Sequence, residues 1–184
     1  MKNIIYLLII LLVIISCSTN DSAFENVCQQ EGNGYVKIKK YSSSIFTEYE
    51  IDSAYYSTIE QSFMLTNKSR DYLNSLNPFM EGINFYMIQF GINSTIPKEG
   101  TYTHLYPIYS DDTDVFNIGL TIRENDNPDL NFYTQPLEIP PNGGTLIIQK
   151  NENGCYNIDF QYVTFYNDTI IGNYNGGFKD FIPN

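Results

Sequence analysis

One imidazole and a surplus of carboxylates define the chemistry open to this chain. His104 is the single histidine among 184 residues, so any Ser-His-Asp or Cys-His arrangement must run through it. It lies in Thr101-Tyr102-Thr103-His104-Leu105-Tyr106, which reads as a strand, and no Gly-x-Ser-x-Gly elbow accompanies it. We expect His104 to be a structural or surface residue. The cysteines show no metal-ligand spacing, which sets zinc aside. Paired carboxylates remain, since a glycosidase needs only two Asp or Glu about 5–10 Å apart. With 21 acids in the chain, however, close pairs arise by chance. Asp111-Asp112-Thr113-Asp114 could gather oxygens around calcium, with Asp111, Asp112 and Asp114 as ligands, and so could Glu124-Asn125-Asp126-Asn127-Pro128-Asp129. Neither has the sixth-position Gly and distal Glu of an EF-hand loop, and solvated acidic loops need no ion. We expect no catalytic residue, no metal and no cofactor.

Composition narrows the partners. Ten Lys+Arg against 21 Asp+Glu give a net charge of −11, without the basic footprint that a phosphate backbone requires, so no nucleic-acid partner is expected. Aromatics make up 15% of the chain, with 16 Tyr, 12 Phe and no Trp. So many rings need burial, which argues against a disordered acidic tail and for a packed body. The length suits one domain.

The positions that would carry and anchor such a body come first in the chain. Met1-Lys2-Asn3 is a short basic start, and Ile4–Ile15 is an uncharged run of twelve residues. A membrane-spanning helix needs roughly 20 apolar residues and a secretory core about 7–15, so the run reads as a signal peptide. It ends Ile14-Ile15-Ser16-Cys17. This resembles the lipobox of bacterial lipoproteins, in which the cysteine thiol is lipidated, the leader is cut before it and the new amino group is acylated. The resemblance implies a leader over 1–16 and a Cys17 carrying palmitate-type chains. Two or more acyl chains hold stably to a bilayer where one does not. Ser18 directly after the cysteine, in place of an inner-membrane-retaining Asp, implies export to the outer membrane, on its periplasmic face or at the cell surface. Residues 17–34, opening Ser18-Thr19-Asn20-Asp21-Ser22-Ala23, read as the lipidated start and a flexible tether.

With Cys17 committed to lipid, Cys28 and Cys155 remain, 127 positions apart. An even count outside the cytoplasm favours a disulfide over two free thiols. Closing so long a loop would restrict the unfolded chain by about 4–5 kcal/mol in the entropy model.

Residues 35–184 read as one all-β domain. Tyr35–Lys40 alternates apolar Val36 and Ile38 with charge, and Ile45–Tyr56, with Ile59–Leu65 as its partner, is rich in β-branched and aromatic residues. Ser69–Leu76 reads as a short helix or turn, with a Ser that could cap it, ended before Pro78. Strands are expected over Asn84–Phe90, Thr101–Tyr109, Val115–Arg123 and Asn131–Thr134. The last third is an antiparallel meander: Thr145–Lys150, a turn at Asn151-Glu152-Asn153-Gly154, Cys155–Tyr166 with Tyr156, Ile158, Phe160 and Tyr162 on one face, a turn at Asn167-Asp168, and Thr169–Phe178 bent at its glycines. Many short strands with two-faced alternation imply an antiparallel β-sandwich, or alternatively a lipocalin-like β-barrel, with one short helix at most. Gly144-Thr145-Leu146-Ile147-Ile148, Tyr156-Asn157-Ile158-Asp159-Phe160 and Ile171-Gly172-Asn173-Tyr174-Asn175-Gly176 resemble a pattern in small exported β-rich lipoproteins, which implies the same fold and no activity.

Asp21-Ser22-Ala23, Asp52-Ser53-Ala54 and Asp168-Thr169-Ile170 resemble a three-residue O-glycosylation signal of certain Gram-negative bacteria, which would mark Ser22, Ser53 and Thr169. The expected function is a non-enzymatic envelope binding or accessory module for a glycan, peptide or envelope protein. A lipocalin-like carrier with a cavity lined by Tyr and Phe is the alternative, and a carboxylate-based hydrolase the third reading.

Overall fold

The computed structural model describes residues 28, 30–57, 59–73, 84–94, 97–104, 112–123, 131–133, 143–164 and 166–180. The strands are β1 (Asn33–Lys39), β2 (Thr47–Ile51), β3 (Ser53–Ser57), β4 (Ser62–Thr66), β5 (Phe85–Ile92), β6 (Gly100–His104), β7 (Val115–Arg123), β8 (Asn131–Tyr133), β9 (Gly144–Lys150), β10 (Tyr156–Val163), β11 (Thr169–Gly176) and β12 (Phe178–Asp180). A single turn of helix, α1 (Arg70–Leu73), interrupts them. Among the described residues the all-β expectation, with one short helix, therefore holds.

Local chemistry explains the meander β9-β10-β11. Asn151 Oδ1 accepts from the Asn153 and Cys155 N–H groups at 3.0 and 2.9 Å, and Gly154 has φ 75°. Only a residue without a Cβ takes that conformation at no steric cost. Asn167 at φ 61° turns the chain again, with Thr164 Oγ1 accepting from Asp168 N–H. Along β10 the alternation buries Tyr156, Ile158, Phe160 and Tyr162 and leaves Asn157, Asp159 and Gln161 on the outer face. Ser69 Oγ accepts from Tyr72 N–H at 3.3 Å, the cap expected for α1. The expected continuation to Leu76 lies outside the described residues.

The strands form one sheet in the order β12-β3-β4-β5-β7-β6-β9-β10-β11-β1-β2, with β8 pairing β7. All pairs are antiparallel except β12 with β3 and β6 with β7. The sheet is thus mixed, where the sequence pattern implies antiparallel pairing alone. Its two halves remain continuous through the short parallel pairing of Thr103 with Val115 and His104 with Phe116.

Three expected strands are redrawn. Ile45–Tyr56 is broken at Asp52 into β2 and β3. Ile59 is 76% exposed and Gln61 takes φ 49°, so the run from Ile59 begins as a turn and β4 starts at Ser62. Thr169–Phe178 stops at Gly176, and Phe178 opens β12 beside β3.

The break at Asp52 determines the shape. β2 and β3 are consecutive, yet β2 ends the sheet and β3 lies next to its other end. One intervening residue can span this only if the sheet curls back on itself into a half-barrel. The concave side is filled by rings from facing strands. Phe90 of β5 meets Phe160 of β10 at 5.1 Å, and Phe178 of β12 meets Tyr156 of β10 at 4.9 Å. Phe63 stacks on Phe90 at 4.8 Å. Each fully buried ring contributes about 2–3 kcal/mol of transfer free energy, so closure of the two halves is driven mainly from this cluster. β3 and β4 are buried on both faces.

Candidate functional site

Where the curled sheet meets itself, side chains make the contact, and among the described residues no strand pairing joins β2 to β5. β2 approaches β5 through Tyr49 and Tyr86, whose rings lie 4.9 Å apart and tilted by 50°. Above this contact runs a groove enclosing about 690 Å³, its walls including Tyr35, Glu48, Glu50, Asn67, Asn84 and Tyr86. One wall is the outer face of β1 and β2. Glu48, Glu50 and Asp52 alternate along it and so project to the same side. The other wall is built by Asn67, which follows β4. Its Oδ1 accepts from Tyr86 N–H at 2.9 Å and its Nδ2 donates to the Asn84 carbonyl at 3.2 Å. One amide side chain thereby replaces a missing strand residue and fixes the start of β5.

Beside the groove lies a second cleft of about 550 Å³, lined among others by Cys28, Gln30, Asp52, Ser69, Tyr174 and Lys179. Gly32, Asp52 and Asn67 border both cavities. Gly32 is there because nothing larger fits: a Cβ on it would collide with the Tyr174 hydroxyl and the Asp52 carbonyl. The Tyr174 hydroxyl donates to the Gly177 carbonyl at 2.9 Å, and burial, reinforced by the Asp52 charge, raises its pKa. Cys28 and Cys155 are paired, with Cα atoms 4.7 Å apart, so the wall that carries Gln30 and Gly32 is tied to the start of β10.

The site is polar and acidic. Lys37 Nζ bonds Glu48 at 2.8 Å, and this hydrogen bond raises the lysine pKa. Lys179 Nζ lies 5.7 Å from the centre of the Tyr55 ring. Glu31, Glu50 and Asp52 add negative charge along the groove and cleft. The carboxylates of β2 stand in a row on one wall and face amides and a tyrosine. A glycosidase instead flanks the scissile bond with two acids. Hydrogen bonding to a polar ligand is the chemistry this arrangement supports.

The residues singled out from the sequence fall elsewhere, apart from the cysteine pair and Ser53. His104 is 9% exposed and packs edge-on to Phe116 at 5.5 Å and against Tyr162 at 4.9 Å, a structural place on β6. The Asp112 carbonyl accepts from Asn93 Nδ2 at 2.8 Å, and the Asp114 carbonyl from Thr103 N–H at 2.9 Å. Among the described residues no three His, Cys, Asp or Glu are gathered to hold a metal. Ser53 borders the cleft but is 7% exposed, with its hydroxyl donating to Asp52 Oδ1, and Thr169 is half-buried at the start of β11. Cys17, Ser22, Asp111, residues 124–129 and the leader lie outside the described residues.

Asn67, Asn84 and Tyr86 carry no local signal, because they meet one another only when β4 and β5 pair, and the opposite wall only when the sheet curls. The Gly32-Asn33-Gly34 run was the available signal: two glycines flanking one residue mark close backbone approach. A Cβ on Gly34 would strike the Asn173 carbonyl.

No protein-family model, curated protein or solved structure matches this chain.

Proposed function

We propose that the protein is an exported lipoprotein, anchored to the outer membrane through acylated Cys17, whose β body is a non-enzymatic binding module with the seam groove as its ligand site. The leader and the Ser16-Cys17 junction support the anchor. The Cys28–Cys155 pair suits an oxidising compartment. The observation that carries the binding role is the groove itself, an acidic wall facing an amide wall along the seam where Tyr49 meets Tyr86. A carrier of apolar molecules would need a hollow interior, and here Phe63, Phe90, Phe160 and Phe178 occupy the concave side. A glycan is the ligand class that amides, carboxylates and tyrosines serve best, ahead of a peptide or an envelope protein.

Isothermal titration of the full-length protein in nonionic detergent tests this reading. The titrants are neutral oligosaccharides, acidic oligosaccharides and the apolar fluorophore N-phenylnaphthylamine. Saturable binding of a neutral oligosaccharide, weakened by Glu50→Ala, is the expected result. Uptake of the fluorophore alone would replace the module with the carrier.

A further inference from the structure

The outer face of the sheet beside the groove carries a second unusual pattern. Asn33 is the register partner of Asn175, Asn175 of Asn157, and Asn157 of Gln149. Four amides thus stand side by side across β1, β11, β10 and β9, at strand spacings of roughly 4.8 Å. The adjoining row runs Glu50, Tyr35, Asn173, Asp159 and Ile147. Asn33, Tyr35, Glu50 and Asn173 also line the seam groove, so the rows continue directly out of it.

Sheet stability does not call for this face. Asn is disfavoured in strands, yet β1, β10 and β11 place four of them here. Hydrogen bonds fix two of them, Asn157 and Asn173, against Asp159. Asn173 Nδ2 donates to Asp159 Oδ1 at 2.7 Å and to Asn157 Oδ1 at 3.1 Å, and Asn157 Nδ2 donates to Asp159 Oδ2 at 3.1 Å. Both Asn173 amide protons are thereby used. Both Asp159 oxygens are likewise engaged in orienting amides.

We propose that this amide platform, continuous with the seam groove, binds a linear neutral polysaccharide laid across the strands. The proposal rests on the binding-module reading and extends it. Repeated amides at a spacing comparable with one pyranose ring match a polymer of hydroxyl groups, each able to donate to one acceptor and accept from one donor. Glu50, Asp159 and the net charge of −11 disfavour an anionic chain. The platform adds contacts only for a ligand long enough to leave the groove.

The test uses affinity electrophoresis of the full-length protein in nonionic detergent, through native gels holding dextran, xylan, galactomannan or mixed-linkage β-glucan, with pectin as the anionic comparison. At least one neutral polymer should retard the protein, and pectin should not. A hexasaccharide of that polymer should bind at least tenfold tighter than its disaccharide. Gln149→Ala should remove much of that tenfold gain while leaving disaccharide affinity and the melting temperature unchanged, and Asn157→Ala should remove it as well. Equal affinity for short and long chains, or variants that keep the gain, would overturn the platform and leave the groove standing. Retardation by pectin alone would overturn the platform on charge. Failure of any saccharide to bind would remove both readings.

Discussion

Ile51 and Ser53 flank a single residue and belong to opposite regions of the sheet: Ile51 closes the terminal strand β2, and Ser53 opens β3, next to the other end. Asp52 between them donates its N–H to the Thr66 carbonyl at 3.2 Å, which sets the corner against β4. The half-barrel, its seam and the groove along that seam all follow from this one-residue switch.

The seam is held by rings, so its strength is measurable as a coupling. Tyr49→Ala and Tyr86→Ala should each destabilise the fold, and a double-mutant cycle should return a coupling of about 0.5–1.5 kcal/mol. Urea unfolding with strictly additive effects would show that these rings do not close the half-barrel.

Pairing of Cys28 with Cys155 closes a loop across 127 positions. Replacing both with Ala should cost about 3–5 kcal/mol of unfolding free energy. Non-reducing peptide mapping should find the two cysteine peptides linked, and two alkylatable thiols in freshly isolated protein would reject the bridge.

Cys17 is the proposed attachment point to the bilayer. Cys17→Ala should abolish labelling by radioactive palmitate and release the protein from the membrane fraction. Label retained by the variant would refute the lipobox reading.

Gly32 fills the narrow gap between the Tyr174 hydroxyl and the Asp52 carbonyl. Gly32→Ala should destabilise by about 1–3 kcal/mol through overpacking. It should also weaken ligand binding in the groove, because the displaced backbone borders both cavities. A melting temperature equal to the parent's would show that the wall yields freely.

Burial pushes Tyr56 and Tyr162 up to about 12, and Tyr174 higher still. An unfolded tyrosine ionises near 10, so above that pH the unfolded chain holds fewer protons than the folded one. Stability should be constant with respect to these groups below about pH 10 and fall as pH rises toward 12. Tyrosinate absorbance should show a late set of residues that ionises together with loss of the fold; a single smooth titration of all tyrosines without unfolding would contradict their burial.

Much of the body is legible from local pattern. Alternation and turn chemistry act over a few residues, so Tyr156–Val163 and its flanking turns at Gly154 and Asn167 could be read directly. The cysteine pairing was accessible by counting. His104, expected to be a structural or surface residue, packs against the rings of Phe116 and Tyr162.

Other features depended on the closed shape. Nothing local at Asp52 marks the point where the chain leaves one end of the sheet for the other, because that switch is decided by the ring cluster that the curl buries. Asn67, Asn84 and Tyr86 face Tyr35 and Glu50 only after closure, and the row Asn33, Asn175, Asn157 and Gln149 exists only in the register of four strands. The sequence alone therefore determined the leader and anchor expectation, the strand-rich class and the last hairpins, all matters of neighbouring residues. The tertiary structure decided the half-barrel, the seam groove and the amide face, because each is made of residues that long-range pairing brings together.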